Sequence, residues 1–298
     1  MRYLGPDDLR EALPMSAAID AMREAFRGDR ETPQRVLLGS SLFMAGKLGD
    51  HTGIKVVSIT PGDPAGIVVV FDRQGHPIGL VDGPTLTAIR TGAAAGLATR
   101  LLAKPDASTL AMLGTGAMAR DLIEAVIAVR PITKILIWSR SRDKAERLAR
   151  QVGGEAVQDT NEAVGLADVV TTATPAHVPL FRDSSLSETV HINAIGAFTP
   201  EMVEIPAKTV ERAFVAVDDI AAAAEEAGDL IQARRSPDAT IGDLLTHTVK
   251  ASSPVTLFKS VGVASQDIAA ATRALATAAR EGLGTLLESR TTHHRVVP

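Results

Sequence analysis

The sequence predicts an α/β fold in two parts: a parallel sheet wrapped by helices, and a second α/β unit split along the chain. Three observations predict it. From about residue 107 strand-like and helix-like segments alternate, which argues for a parallel sheet with helices on both faces. A glycine turn, LGTGAMA at 113–119, joins a strand to a helix. The first 106 residues and a long amphipathic stretch past residue 265 stand outside that alternation.

Taken in order, SAAIDAMREAF carries apolar residues at helical spacing after Ser16, a good N-cap type. RVLLGSSLFM, GIKVVSI, GIVVVFD and PIGLVD are β-branched runs broken by Gly, Pro and Asp, with residues 44–53 read as a loop. PTLTAIRTGAAAGLATRLLA is a helix opened by Pro84, whose small residues admit another backbone closely. A boundary falls at LAKPDAS, marked by Pro105. The strands that follow are STLAML, KILIW, a weak EAV, DVVTTA, TVHINAI and AFVAVD. Their helices are AMARDLIEAVIAV, RDKAERLARQV, NEAVGLA and IAAAAEEAGDLIQ. QDIAAATRALATAAREGLGTLLE reads as one long helix returning to the first unit. The expected domains are therefore 1–106 with 266–298, and 107–265.

Composition narrows the function classes. The 298 residues are 45% hydrophobic and 22% charged, ordinary globular values. A net charge of −4 gives no basic footprint for nucleic acid. With no cysteine, disulfides, thiolate metal sites and a Cys nucleophile are excluded, and a reducing cytoplasm fits. No apolar run reaches the ~18 residues of a membrane span. The acidic opening MRYLGPDDLREAL argues against an export signal.

In the glycine turn, Gly114, Gly116 and Ala119 take the three small positions of a dinucleotide fingerprint. The first permits the tight turn, the second lets backbone approach a pyrophosphate, and the third lets helix pack on strand. Thr115, Ala117 and Met118 complete that edge. The strand before, the helix after and KILIW beyond agree with a Rossmann unit, and no GK[ST] follows to make a triphosphate P-loop. At the end of KILIW stands WSRSRDK, with no acid before Asp143 to accept from a ribose hydroxyl. Ser139, Arg140, Ser141 and Arg142 suit a phosphate instead. NADP(H) is thus expected over NAD(H), the alternative being a solvated loop. Thr172, Ala173 and Thr174 end a third strand, where small polar residues suit either a cofactor ribose or an ordinary strand end.

Three cations interrupt apolar or small-residue runs: Arg35 in TPQRVLL, Lys55 in GIKVVSI and Arg90 in LTAIRTGAAAG. A cation in such a run is costly unless it is paired, faces a ligand, or points to solvent. Together, facing a nicotinamide, the three would clamp a carboxylate. The loop NAIGAFTPEM at 193–202 adds Asn193, Ala194 and Gly196 at a strand end, and an aromatic, Phe198.

AIRTGAAAGLATRLLA followed by LAMLGTGAMA, then NAIGAFTPEM and LFKSVGVASQDIAAA, resembles the ornithine cyclodeaminase/mu-crystallin family across nearly the whole chain. The resemblance implies a homodimer paired through the first unit, an NAD(P)(H) site, and chemistry on amino or imino acids. It implies that Arg35 and Arg90 hold the substrate carboxylate and that Lys55 lies beside the reacting centre. It further implies that Arg90 and Thr91, with Ala93, approach the cofactor, and that Gly262 and Val263 lie near the nicotinamide. One position departs. Cyclodeaminases carry an Asp in a segment like GADxPGK, where this chain has Phe198, and Met202 stands in place of the Lys. Cyclodeamination needs a carboxylate to deprotonate a side-chain ammonium. A phenyl ring cannot do so, but it can pack on an apolar ring.

The resulting expectation is an NADPH-dependent reductase of small cyclic ketimine carboxylates, with Phe198 closing the pocket and no metal. The alternatives are an ornithine cyclodeaminase, an amino-acid dehydrogenase, and a non-enzymatic ligand-binding relative. His293 and His294 lack a third metal ligand and read as a tail, and His51 reads as surface. Asp218 and Asp219 suit a turn or a site, and Asp229 a helix cap.

Overall fold

The computed structural model describes residues 1–58, 60 and 65–288. His293 and His294 fall outside them. The first unit opens with β1 (Arg2–Leu4), α1 (Pro6–Ala12) and α2 (Met15–Arg27). Pro14 precedes α2, so Ser16 lies inside the helix and is not its cap. Next come β2 (Arg30–Glu31), β3 (Val36–Leu38), β4 (Ser41–Leu48), β5 (His51–Ser58), β6 (Gly66–Phe71) and β7 (Pro77–Asp82). Residues 44–53 are not a loop: β4 and β5 pair antiparallel through all eight of their residues, turning at Gly49 and Asp50. Gly49 supplies the positive φ of that turn. α3 (Gly83–Leu102) follows, opened by Pro84 and capped by Asp82, whose carboxylate accepts the Thr85 N–H at 2.8 Å.

The second sheet carries β8 (Thr109–Leu113), α4 (Ala119–Ile127), β9 (Lys134–Trp138), α5 (Arg142–Val152), β10 (Glu155–Ala156), α6 (Thr160–Leu166), β11 (Val169–Thr172) and β12 (Val190–Ala194). It continues through α7 (Ala207–Arg212), β13 (Phe214–Val217), α8 (Ile220–Glu226), α9 (Gly228–Gln232), β14 (Ala239–Thr240), α10 (Ile241–Leu245) and β15 (Val255–Lys259). All its pairings are parallel, in the order β10-β9-β8-β11-β12-β15-β13-β14. The α/β expectation holds. The sequence reading omitted β15, which lies between β12 and β13 and whose five residues are all buried.

α11 (Ala264–Glu281) packs back on α2 and on β4 to β6, and β16 (Thr285–Leu286) pairs antiparallel with β1 in the first sheet. The long helix expected here is therefore shorter. Gly282 ends it in a left-handed cap, and the TLL that follows is extended. The first sheet runs β16-β1-β7-β6-β5-β4-β2, with β3 on β4. α3 touches both sheets, β5 to β7 of the first and β12 and β15 of the second, and α11 packs beside it on the first. Gly46 and Gly53 are glycines because Ala264 and Ile268 of α11 stand where a Cβ would be.

Candidate active site

The carboxyl ends of the second sheet open a cleft of about 530 Å³. Gly114, with φ +123°, makes the turn out of β8, and a side chain there would collide with the Ala173 carbonyl. Gly116 is different: a Cβ added to it meets no protein atom, so its open side belongs to the cleft. This is the backbone exposure a pyrophosphate requires, at the N-terminus of α4. Ser139 bridges the turn to the end of β9, accepting from the Thr115 hydroxyl at 3.1 Å and the Ser141 N–H at 3.3 Å. Trp138, Arg140 and Ala173 line the same cleft. Lys144 of α5 also lines it, a cation the sequence reading passed over because it sits inside a regular helical pattern. Arg142 turns the other way and pairs with Glu146. The residues present fit a dinucleotide.

At two strand ends the structure departs from expectation. The Thr172 hydroxyl is buried and donates to Glu204 at 2.8 Å, so it is not offered to a ligand. The Asn193 amide is likewise spent inside, donating to Thr99 at 3.0 Å and Thr171 at 3.3 Å. Its oxygen receives His191, which burial keeps neutral by pushing its pKa down to about 3. Ala194 is fully buried beside it. What reaches the cleft is Thr174, whose N–H and hydroxyl are both held by Glu204.

Glu204 was not foreseen. Buried, it accepts from Thr172, from Thr174 twice and from the Gly196 N–H, tying two strand-end loops together. Desolvation raises its pKa, opposed by Lys259. Lys259 Nζ lies 2.9 Å from Asp229 Oδ2, both fully buried, close enough for an ion pair though off the hydrogen-bond line. Asp229 caps no helix; its other oxygen accepts the Glu204 and Ile205 N–H groups.

The three cations converge. Lys55 projects from the middle of β5 and is 4% exposed, and Arg90 from α3 is 6% exposed. Both donate to Asp267 in the first turn of α11: Lys55 at 3.0 and 3.2 Å, Arg90 Nε at 3.0 Å. Thr87 accepts a further bond from Lys55 at 3.3 Å, and Gln266 takes Arg90 Nη1 at 2.8 Å. Burial, with Arg90 and Arg35 nearby, lowers the Lys55 pKa to about 8 against the pull of Asp267. The two cations hold the Asp267 pKa below its usual range despite burial.

Arg35 reaches the group from the other side, donating to the Gly262 carbonyl at 2.6 Å and pairing through Nε with Glu226 at 2.9 Å. Gly262, with φ +77°, sits on the Arg90 guanidinium; a Cβ would stand 2.7 Å from Nη1. Its turn is fixed by Asp218, which accepts from Ser260 Oγ and from the N–H groups of Val261 and Gly262. Asp219 caps α8. Val263 opens α11 and lines a small cavity with Arg35 and Met44. Thr91 is buried one residue past Arg90. Phe198 is 51% exposed, so in this structure its ring closes no pocket; the residues just before it, Ile195 to Ala197, are buried.

Asp267 and Gln266 were missed, although the sequence held a signal. Asp267 lies at helical spacing with Ala270, Ala271 and Ala274, all fully buried, so it had to face the core. No cluster of metal-ligating side chains occurs among the described residues, and no helix among them is long and apolar enough to cross a membrane.

The strand order and glycine turn define a Rossmann-type α/β protein carrying a second sheet. Residues 11–281 match the family model described as ornithine cyclodeaminase/mu-crystallin, and the chain belongs to that family. A Delta(1)-pyrroline-2-carboxylate reductase from Bacillus cereus is 35% identical over 228 residues, covering 71% of this chain and 70% of that one. The structure of Thermococcus litoralis Delta(1)-pyrroline-2-carboxylate reductase in complex with NADH and L-proline superposes with a TM-score of 0.90 at 28% identity, over 96% of this chain and all of that one. An archaeal alanine dehydrogenase dimer with bound NAD gives 0.89 at 25% identity, over 97% of this chain and 99% of that one.

Proposed function

We propose that this protein reduces small cyclic ketimine carboxylates with a nicotinamide dinucleotide, forming proline from Δ1-pyrroline-2-carboxylate or pipecolate from Δ1-piperideine-2-carboxylate. The observation that carries the reading is the buried meeting of Lys55 and Arg90 on Asp267, with Arg35 one glycine away. Arg90 Nε and Nη1 are engaged, as are Arg35 Nε and Nη2, which leaves each fork one nitrogen for a substrate carboxylate. Lys55 also faces that carboxylate and delivers a proton to the imine nitrogen. A protonated imine accepts hydride more readily than a neutral one. The dinucleotide supplies the hydride to the imine carbon when bound.

NADP(H) is the preferred dinucleotide on this reading. No acid follows β9 before Asp143, and Arg140 and Lys144 both line the cleft. The related structures with bound NADH and NAD make this a point for direct measurement. The protein works as a cytoplasmic homodimer. Val36, Leu37 and Leu38 of β3 are 58–70% exposed, an apolar edge that a second copy would cover. On this reading the chain divides into a substrate and pairing domain, 1–106 with 266–298, and a dinucleotide domain, 107–265.

Phe198 in place of the family Asp leaves no carboxylate at that position to deprotonate an ω-ammonium, which supports reduction over cyclodeamination. The test is to follow NADPH and NADH oxidation with pyrroline-, piperideine- and thiazoline-type carboxylates and with pyruvate plus amines, while measuring ammonia release from ornithine. Ketimine-dependent oxidation is expected. Ammonia release with no activity on any imine would overturn the reading.

A further inference from the structure

We propose that Asp267 is a positioning residue: it holds Lys55 and Arg90 on one buried carboxylate, so that a substrate carboxylate enters as the second anion of the group and brings a proton onto Lys55. This rests on the reductase reading for the identity of the substrate, but its central claim concerns carboxylate binding alone.

The charges around Lys55 can be counted element by element. α11 contributes Asp267 and the neutral Gln266, and α3 contributes Arg90 and the Thr87 hydroxyl. The strands on either side place Met44 and Val68 opposite Lys55, neither of them charged. Arg35 is nearby but already paired with Glu226. The core group is therefore two cations on one carboxylate, net +1 with Lys55 charged and neutral with Lys55 uncharged. Burial favours the state of smaller net charge. When a ligand carboxylate joins, the balance reverses, because the group is then neutral only with Lys55 protonated. The Lys55 pKa of about 8 places this exchange within the working range of pH.

Asp267 decides where the exchange falls. It takes Lys55 on both oxygens and shares Oδ1 with the Arg90 Nε. Without its charge, burial, Arg90 and Arg35 would act on Lys55 unopposed. The ammonium would then lose its proton at lower pH and the Arg90 fork its lateral support. The geometry also sets direction: with Nε fixed on Asp267 and Nη1 on Gln266, Arg90 keeps Nη2 for the ligand.

The experiment is calorimetry of pyrrole-2-carboxylate, whose ring nitrogen carries no charge, binding to protein saturated with oxidised dinucleotide. Titrations in buffers of different ionisation enthalpy give the protons taken up. Linkage predicts uptake of about half a proton at pH 8 and almost none at pH 6.5. In Asp267→Asn the uptake curve should move at least one unit toward acid, so that uptake appears at pH 6.5 to 7. A merely structural Asp267 would weaken binding equally at every pH and leave the curve in place. That result would overturn the proposal, as would no uptake by the wild type at pH 8 or no carboxylate binding at any pH. Should the Asn variant not fold, Lys55→Arg decides, since a guanidinium does not titrate here and uptake should vanish; persistent uptake would exclude Lys55. Failure to reduce any ketimine would remove the reductase reading and leave these binding outcomes intact.

Discussion

Glu204 accepts the backbone N–H of Gly196 at 2.7 Å, and so joins the loop after β12 to the carboxylate that also holds Thr174. Four donors from three residues converge on its two oxygens, and Lys259 supplies the compensating charge. In Glu204→Gln one oxygen becomes an NH₂ group facing donors. Leaving a buried donor unpaired costs about 1–3 kcal/mol. The urea midpoint should fall with an unchanged slope, and dinucleotide affinity should fall with it because the strand-end loops lose their common anchor. An unaltered midpoint would show that the loops do not depend on this carboxylate.

Local patterns made half of this molecule legible. The glycine turn, KILIW and RDKAERLARQV are read correctly because periodicity and turn chemistry fix them within a few residues. β15 escaped because VTLFK follows Ser-Ser-Pro and runs into the turn at Gly262, and what makes it a strand is pairing with β12 and β13, far away in sequence. β16 escaped for the same reason: its partner is β1, at the other end of the chain. The site divides in the same way. Lys55 and Arg90 stood out as charges in apolar runs, whereas Asp267 looked like an ordinary acid in a first helical turn. That it neutralises two cations brought from β5 and α3 is a tertiary fact.

Substrate affinity should fall as pH rises. Lys55 carries its proton below about pH 8 and loses it above, so KM for a ketimine carboxylate should climb above pH 8. The same depression has a stability consequence of opposite sense. Between pH 8 and the ordinary lysine value of 10.5 the unfolded chain binds more protons, so this group adds stability as pH rises through that window. Denaturation of wild type and Lys55→Met side by side at pH 8 and 10 isolates that contribution; the wild type should gain on the variant at the higher pH.

Lys55→Met keeps the length of the side chain and removes the charge, while Asp267 keeps Arg90. Losing a charged hydrogen bond to substrate costs about 1.5–3 kcal/mol, so kcat/KM for a ketimine should drop about 10- to 100-fold. Dinucleotide binding, read by fluorescence, should not change. An unaltered kcat/KM would remove Lys55 from the reaction.

Discrimination between dinucleotides should reside in Arg140 and Lys144. Replacing both by Ala should raise KM for NADPH by about 10-fold or more through loss of charge-assisted bonds to the 2′-phosphate, and leave KM for NADH nearly unchanged. Equal losses with both cofactors would place the two cations at the pyrophosphate or outside the site.

Gly262 allows the sharpest test of the carboxylate clamp, since it touches Arg90 and not the glycine turn. In Gly262→Ala the residue must hold φ +77°, which disfavours any side chain by about 1 kcal/mol or more. The new methyl would also stand 2.7 Å from Arg90 Nη1 and 2.9 Å from Nη2, too close for the guanidinium to stay. Arg90 is bound through Nε to Asp267 and through Nη1 to Gln266, so it cannot swing aside without breaking both bonds. Backbone movement in the other direction is opposed by Asp218, which grips the Gly262 N–H at 2.7 Å, and by Arg35 on the carbonyl. KM for the ketimine carboxylate should therefore rise severalfold or more, with KM for the dinucleotide little altered. A variant in which only the dinucleotide KM rises would move Gly262 from the carboxylate clamp to the cofactor.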